Sequence, residues 1–253
     1  MSDSHPTPHR LIILSGPSCV GKSPLVRALG RLYPDLLQPL QPLVLYNSRS
    51  PRPGELDGVD YHFRPRADIE RFRSAEGFVV MDVRGDLQAL DVGALQRTLD
   101  DGDVLFEGNP FVGTTLLEHP RLAAIPVLGM FMSPLSAEEI SSLQALERHV
   151  DVPGLVADIM RRKLLRRTRR QKGELSLPDL EDIERRATSA YGEMRNACRF
   201  EHVLVNHDGE DSENWDAFYY PLGDARRCLD AFVAMLRGEE ARWVESWDSG
   251  LLA

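Results

Sequence analysis

The eight residues Gly16-Pro17-Ser18-Cys19-Val20-Gly21-Lys22-Ser23 fit the spacing G-x-x-x-x-G-K-[ST] without a gap, and no other stretch constrains the fold as tightly. An apolar run at 11–14 leads into them, and a helical pattern through about residue 32 follows. Glycines let the main chain turn its N–H groups inward around an anion, and the following helix points its positive end at the same place. The expected anion cradle is therefore Gly16, Ser18, Cys19, Val20, Gly21, Lys22 and Ser23. Lys22 has the reach for the β- and γ-phosphates of a nucleoside triphosphate, and the Ser23 hydroxyl is a ligand for Mg2+. Pro24 comes next. Proline is tolerated in a helix's first turn but brings neither an N–H nor a hydroxyl, so the loop should form while nucleotide binding is weakened or altered.

Short apolar runs alternate with helical stretches along the rest of the chain, the pattern of a parallel sheet covered on both faces. Strands are expected at 43–46, 78–81, 104–106, 127–132 and 203–205. Helices are expected at 67–75, 92–100, 136–148, 154–171, 179–197 and 223–237. Two stretches read as irregular insertions: 147–155, with Pro153-Gly154 as a breaker, and 207–222, acidic and aromatic and so a surface loop. In the tail, Trp243 and Trp247 would share one face of a helix. The hydrophobic content of 42% supplies one sizeable core. No apolar run approaches the roughly 20 residues a membrane span needs, which excludes a helical membrane protein. Residues 1–10 are polar, lack a signal-peptide core and read as a disordered arm. The three cysteines have no metal-ligand spacing and suit a reducing, cytoplasmic compartment. A net charge of -9 argues against a nucleic-acid platform.

A second motif names a chemistry. Arg49-Ser50-Pro51-Arg52-Pro53-Gly54-Glu55-Leu56-Asp57-Gly58-Val59-Asp60-Tyr61-His62-Phe63 resembles the guanylate kinase signature R-x-P-R-x-G-E-x-x-G-x-D-Y-x-F at every fixed position. Weaker similarity continues to Asn206. The resemblance implies that Arg49, Arg52 and Tyr61 hold the phosphate of an acceptor, and that Glu55 orients an arginine or the loop. The chemistry agrees, since planar guanidiniums take phosphate oxygens bidentately and a phenol adds a neutral donor. Residues 161–172 hold eight Lys or Arg in twelve positions and resemble the family's lid. With the helix Ile183-Glu184-Arg185-Arg186 they imply Arg186 as a catalytic arginine, with Arg166 or Arg167 as a partner toward ATP. The competing reading is a solvated basic face paired with the acids at 174–184. Val203-Leu204-Val205-Asn206 resembles the family's V-x-V-N strand end and places Asn206 on the adenine side. Glu107 is the candidate acid near Mg2+.

The resemblance weakens where a guanine would be read. Leu45 stands where the family has serine, Leu87 or Gln88 where it has tyrosine, and Asp82 is the candidate for its acidic residue. The implied architecture is α/β: a three-layer P-loop NTPase fold with a parallel central sheet, over 11–237. It would carry a small acceptor-binding subdomain at about 45–90, a helical lid at about 160–185, and an extension at 238–253. The implied reaction passes the ATP γ-phosphoryl, with Mg2+, to a nucleoside monophosphate, GMP first. The alternatives are a kinase of another small phosphorylated metabolite and a non-catalytic module that binds a phospho-ligand. The expected partners are small molecules, with no membrane or nucleic acid, for a monomer or homodimer.

Overall fold

A computed structural model describes residues 9–51, 54–146 and 150–252. In chain order it contains β1 (Leu11–Ser15), α1 (Lys22–Leu32), α2 (Pro34–Leu37), β2 (Gln41–Pro42), β3 (Tyr46–Asn47) and β4 (His62–Phe63). Next come α3 (Arg66–Arg71), β5 (Phe78–Val83), β6 (Asp86–Asp91), α4 (Val92–Asp101), β7 (Val104–Gly108) and α5 (Pro110–Glu118). The remainder is β8 (Val127–Ser133), α6 (Ala137–Ala145), α7 (Val152–Lys172), α8 (Leu177–Met194), β9 (His202–Val205), α9 (Gly223–Arg237) and β10 (Val244–Glu245).

The main sheet runs β10-β9-β8-β1-β7-β2. Every residue of β1 is buried, as expected for a central strand covered on both faces. β2 pairs parallel with β7, and β8 parallel with β9. At the edge, β10 is antiparallel to β9. The second sheet runs β4-β3-β6-β5. Its β5–β6 hairpin closes through Arg84-Gly85 at φ 56° and 87°. Both residues are left-handed, the turn whose twist matches that of the flanking strands.

The chain divides into two compact units. The first holds residues 9–13, Pro39–Phe106 and Thr115–Leu128. Its small core gathers Ile69, Leu87 and Ala89 with Tyr46, Phe72, Phe78 and Val80. Phe72 stacks on Phe78 at 4.3 Å, so α3 is pinned to the sheet by aromatic as well as aliphatic contact. The second unit holds Leu14–Gln38, Glu107–Thr114 and the chain from Gly129 onward. There α7 and α8 pack along each other. A capping box of Ser176 and Asp179 starts α8.

Several expectations need correction. The apolar run at 43–46 divides: only Tyr46 is in a strand, because the chain leaves β2 beside β7 and enters β3 of the other sheet. The helix expected at 136–148 ends at Ala145, and residues 147–149 lie outside the described ones. Pro153-Gly154 starts a helix instead of breaking one. Asp151 caps α7 by accepting from Gly154 N at 3.1 Å, and proline suits the first turn. The tail is not helical at its tryptophans: Trp243 is 53% exposed at φ 59°, whereas Trp247 is buried and donates to Glu245 Oε2 at 2.6 Å. Among the described residues, six strands and α-helices are additional to those expected: the longer β6 and α5, and the short α2, β2, β4 and β10.

Candidate active site

In the second unit the loop Gly16–Ser23 turns between β1 and α1. Gly16, Cys19 and Gly21 all have positive φ, at 148°, 68° and 112°. A Cβ on Gly16 would lie 2.5 Å from Met132 O, and one on Gly21 would lie 2.3 Å from Asn206 Nδ2. Only glycine lets the loop press this closely onto the ends of β8 and β9. Lys22 Nζ donates to Gly16 O at 2.7 Å and to Pro17 O at 2.9 Å, so its charge is held inside the loop. Helix α1 runs through Pro24 undisturbed, with Leu25 N donating to Gly21 O at 3.1 Å.

Ser23 Oγ donates to Glu107 Oε1 at 2.5 Å. Burial raises the Glu107 carboxyl above the usual carboxylate range, with the Ser23 hydroxyl and Lys22 pulling the other way. Burial, and after it the charge of Glu210, pushes the Cys19 thiol up to about 12, so it stays neutral. Asn206 is fully buried and donates to Val20 O at 2.6 Å, which makes it a brace from β9 to the loop. Trp215 lies beside Gly21 and donates to Gly209 O at 2.6 Å. The glycine cradle, an ammonium and a paired hydroxyl and carboxylate fit a triphosphate with Mg2+, a hard ion that takes few protein oxygens when phosphates supply the rest.

In the first unit Arg49 is gripped bidentately by Glu55, at 2.6 and 2.7 Å. Its guanidinium also lies over the rings of Tyr61 at 5.1 Å and Phe63 at 5.4 Å. Burial works to lower the arginine's pKa, but the Glu55 carboxylate outweighs it, so the value is raised and the charge fixed. The motif's other acids shape the loop. Asp57 accepts from Phe63 N at 2.7 Å, and Asp60 from Leu56 N at 2.8 Å. Arg52 lies outside the described residues. Asp82 is exposed at the hairpin end of β5 and accepts from Gly85 N at 3.1 Å, a turn-stabilising position. Leu45 is buried, and Gln88, also buried, is the register partner of Asn47.

The basic helix α7 is paired on two sides. Arg161 binds Glu184 at 2.6 Å and Lys172 binds Asp179, both on α8 or its first turn. Arg166 and Arg167 instead reach the loop after β9, to Asp211 at 2.5 Å and Glu210 at 2.8 Å. Arg166 remains 66% exposed, whereas Arg167 is the one near Cys19. Arg186 is buried on α8 and paired with Asp182 at 2.6 Å.

Three residues escaped the sequence reading. Asn47 is buried and accepts from Arg49 N at 3.1 Å, an Asx turn that its place two residues before the arginine could have signalled. Trp215 and Glu210 lie in the stretch read as a surface loop, and the acids there complement the basic run on α7. The loop is exposed only in part: Phe218, Tyr219 and Tyr220 face solvent, but Trp215 is 4% exposed. Asp208 organises its base, accepting from Asn214 Nδ2 at 2.6 Å and Ala225 N at 2.9 Å.

Comparison with known proteins agrees with this geometry. The family model described as guanylate kinase matches residues 8–84, which span both the phosphate loop and the arginine motif. A guanylate kinase of Ruegeria sp. (strain TM1040) is 30% identical over 208 residues, covering 80% of this chain and 79% of that protein. One from Gluconobacter oxydans (strain 621H) is 30% identical over 202 residues, covering 78% and 79%. In fold, the chain is similar to the crystal structure of guanylate kinase from Anaplasma phagocytophilum, with a TM-score of 0.53 at 18% identity over 91% of this chain and 85% of that one. With a phosphate loop, an organised arginine motif and relatives aligned along most of their length, the chain belongs to the guanylate kinase family.

Proposed function

We propose that this chain transfers the γ-phosphoryl group of ATP to GMP. The observation that carries the reading is Arg49, held by two Glu55 oxygens over the faces of Tyr61 and Phe63. An arginine so fixed keeps its remaining N–H edge for an acceptor phosphate and loses little freedom when it binds one. Tyr61 and Arg52 complete that cradle in the proposal, and Asn47 sets the turn from which Arg49 projects.

The donor is assigned to the loop Gly16–Ser23. Its N–H groups hold phosphate oxygens, and Lys22 moves from its own loop carbonyls to the transferring phosphoryl. Ser23 and Glu107 would hold Mg2+, which when bound neutralises charge on the phosphates as the bond to the leaving oxygen breaks. Arg186 and Arg167 are assigned to charge spread over the moving phosphoryl. Asn206 supports the donor loop from behind, through Val20. The acceptor-binding segment is placed at about 45–90 and the lid at about 160–185, in a domain over 11–237. No described helix is long and apolar enough to cross a membrane. The odd, sparse cysteine set supports a cytoplasmic place, and nothing in the proposed chemistry needs more than one copy of the chain.

Turnover of purified protein with ATP and Mg2+ against GMP, dGMP, AMP, CMP and UMP tests the reading. GMP should give the highest kcat/KM, and Lys22→Ala should lose at least about a hundredfold in kcat. A faster reaction with another acceptor, or an unchanged Lys22→Ala rate, would refute it.

A further inference from the structure

The segment after β9 is fixed against the phosphate loop. Glu210 N donates to Cys19 O at 3.1 Å. A Cβ on Gly209 would sit 2.9 Å from that same carbonyl and 3.0 Å from Lys163 Nζ, so the approach is as close as the backbone permits. Lys163 donates to His207 O, and Trp215 to Gly209 O, which clamps the segment from α7 and from its own far end. The Glu210 carboxylate is thereby carried to Arg167, 2.8 Å from Nη1, with side chains only 15% and 21% exposed. Among the described residues, Arg167 Nε is buried without a hydrogen-bond partner. The guanidinium is thus only partly satisfied by its present anion. The charge of Glu210 reaches the phosphate loop itself, where it helps raise both the Cys19 thiol and the Glu107 carboxyl.

We infer that Glu210 sets the affinity of the donor site: its carboxylate occupies Arg167 as an internal substitute for a phosphate, and ATP binds by exchanging it. The inference rests on the assignment of ATP to the loop Gly16–Ser23. A phosphate offers more charge than a carboxylate and takes a guanidinium in two parallel bonds, so the exchange runs forward at sufficient ATP. The displaced carboxylate weakens binding by what its own ion pair was worth. Asp211 is also buried and its charge also acts on Cys19, but the arginine it holds, Arg166, lies largely in solvent, so it keeps no buried guanidinium from an anion. Glu210 is accordingly a positioning residue and takes no part in the chemistry.

The test is calorimetric titration with MgATP, with turnover on ATP and GMP measured in parallel. Glu210→Gln keeps the backbone bond to Cys19 and removes the charge; it should tighten MgATP binding about fivefold, the scale of a half-buried ion pair. KM for GMP should not move. In an Arg167→Gln background the same change should have a clearly smaller effect, the part that comes from the bare charge alone, and Asp211→Asn should likewise have a smaller effect than Glu210→Gln. Glu210→Ala, read identically, replaces Glu210→Gln should that variant not fold. Unchanged or weaker MgATP binding in the Glu210 variants, or equal tightening without Arg167, would overturn the inference. Tighter MgATP binding without GMP phosphorylation would keep it and defeat the GMP reading; absence of MgATP binding in both wild type and variant would end both.

Discussion

Lys22 is tied to the carbonyl oxygens of Gly16 and Pro17, so the loop holds a cation before it meets an anion. Replacing the lysine leaves those carbonyls to water and removes the charge proposed to stabilise the transferring phosphoryl, which is why kcat should suffer most. Pro24 makes the opposite prediction. Pro24→Thr restores one N–H and one hydroxyl in the first turn of α1 and should tighten MgATP binding about tenfold, measured by titration. Unchanged affinity would show that the missing donor never faced the nucleotide. Gly21 is constrained by shape. Gly21→Ala places a methyl 2.3 Å from Asn206 Nδ2 at φ 112°. It should cost about 2–3 kcal/mol in urea denaturation and detach the Asn206 brace. At this scale the fixed spacing of the motifs singled out Lys22, Ser23, Arg49 and Glu55, and each has a partner in the fold: two loop carbonyls for Lys22, Glu107 for Ser23, and Glu55 for Arg49. Asn206 was harder to read, because one amide at a strand end can serve a ligand or a neighbouring loop equally well. Asp82 is a similar case: an acid two residues before the Arg84-Gly85 hairpin can serve a ligand or the turn, and here it accepts from Gly85 N.

Among the elements, the starts of α6 and α9 are linked by one histidine. His207 Nδ1 contacts Asp224 at 2.6 Å, and its Nε2 contacts Glu139 at 2.9 Å. Burial alone would lower its pKa, but bonds to Glu139 and Asp224 outweigh that and raise it above 6.5. Its contribution to stability is therefore complete below about 6.5 and fades as pH rises through the raised folded value. Glu139 and Asp224 are shifted down from 4.5 and 3.8, with burial opposing and His207 among the groups that prevail. Their contribution is present above those ordinary values and is lost as pH falls through the lowered ones. The cluster is thus strongest between about pH 4.5 and 6.5. His207→Gln should lower Tm most in that window, and the gap to wild type should narrow at higher pH; a gap independent of pH would refute the linkage. Long helices were the most legible elements, since a period of 3.6 repeats many times along α7, α8 and α9. The short strands β2, β3 and β4 have two residues each, too few for any alternation to show. Pro153-Gly154 shows how one dipeptide can open a helix when an aspartate precedes it.

For the whole molecule, the overall α/β pattern and family were readable because the two motifs sit about thirty residues apart in a chain whose apolar runs alternate with helices. The division into two compact units was less legible, because Pro39–Phe106 and Thr115–Leu128 belong together although α5 begins between them. Contacts across that much sequence are set by packing, which no local period reports. The net charge of -9 also conceals how its parts are used: the basic run on α7 is met by acids from α8 and from the loop after β9. Raising ionic strength should therefore loosen the more exposed pairs of Arg161 and Arg166 while leaving the Arg186–Asp182 and Arg167–Glu210 pairs in place, a difference visible in hydrogen exchange of α7 against α8. The indole of Trp215 has one more consequence. Lodged beside Gly21, it gives the protein a native fluorophore at the phosphate loop, separable by substitution from solvent-lit Trp243 and shielded Trp247. Its emission should shift when ATP enters and stay constant when GMP alone is added, with Trp215→Phe abolishing the signal, so donor occupancy can be followed optically without a label.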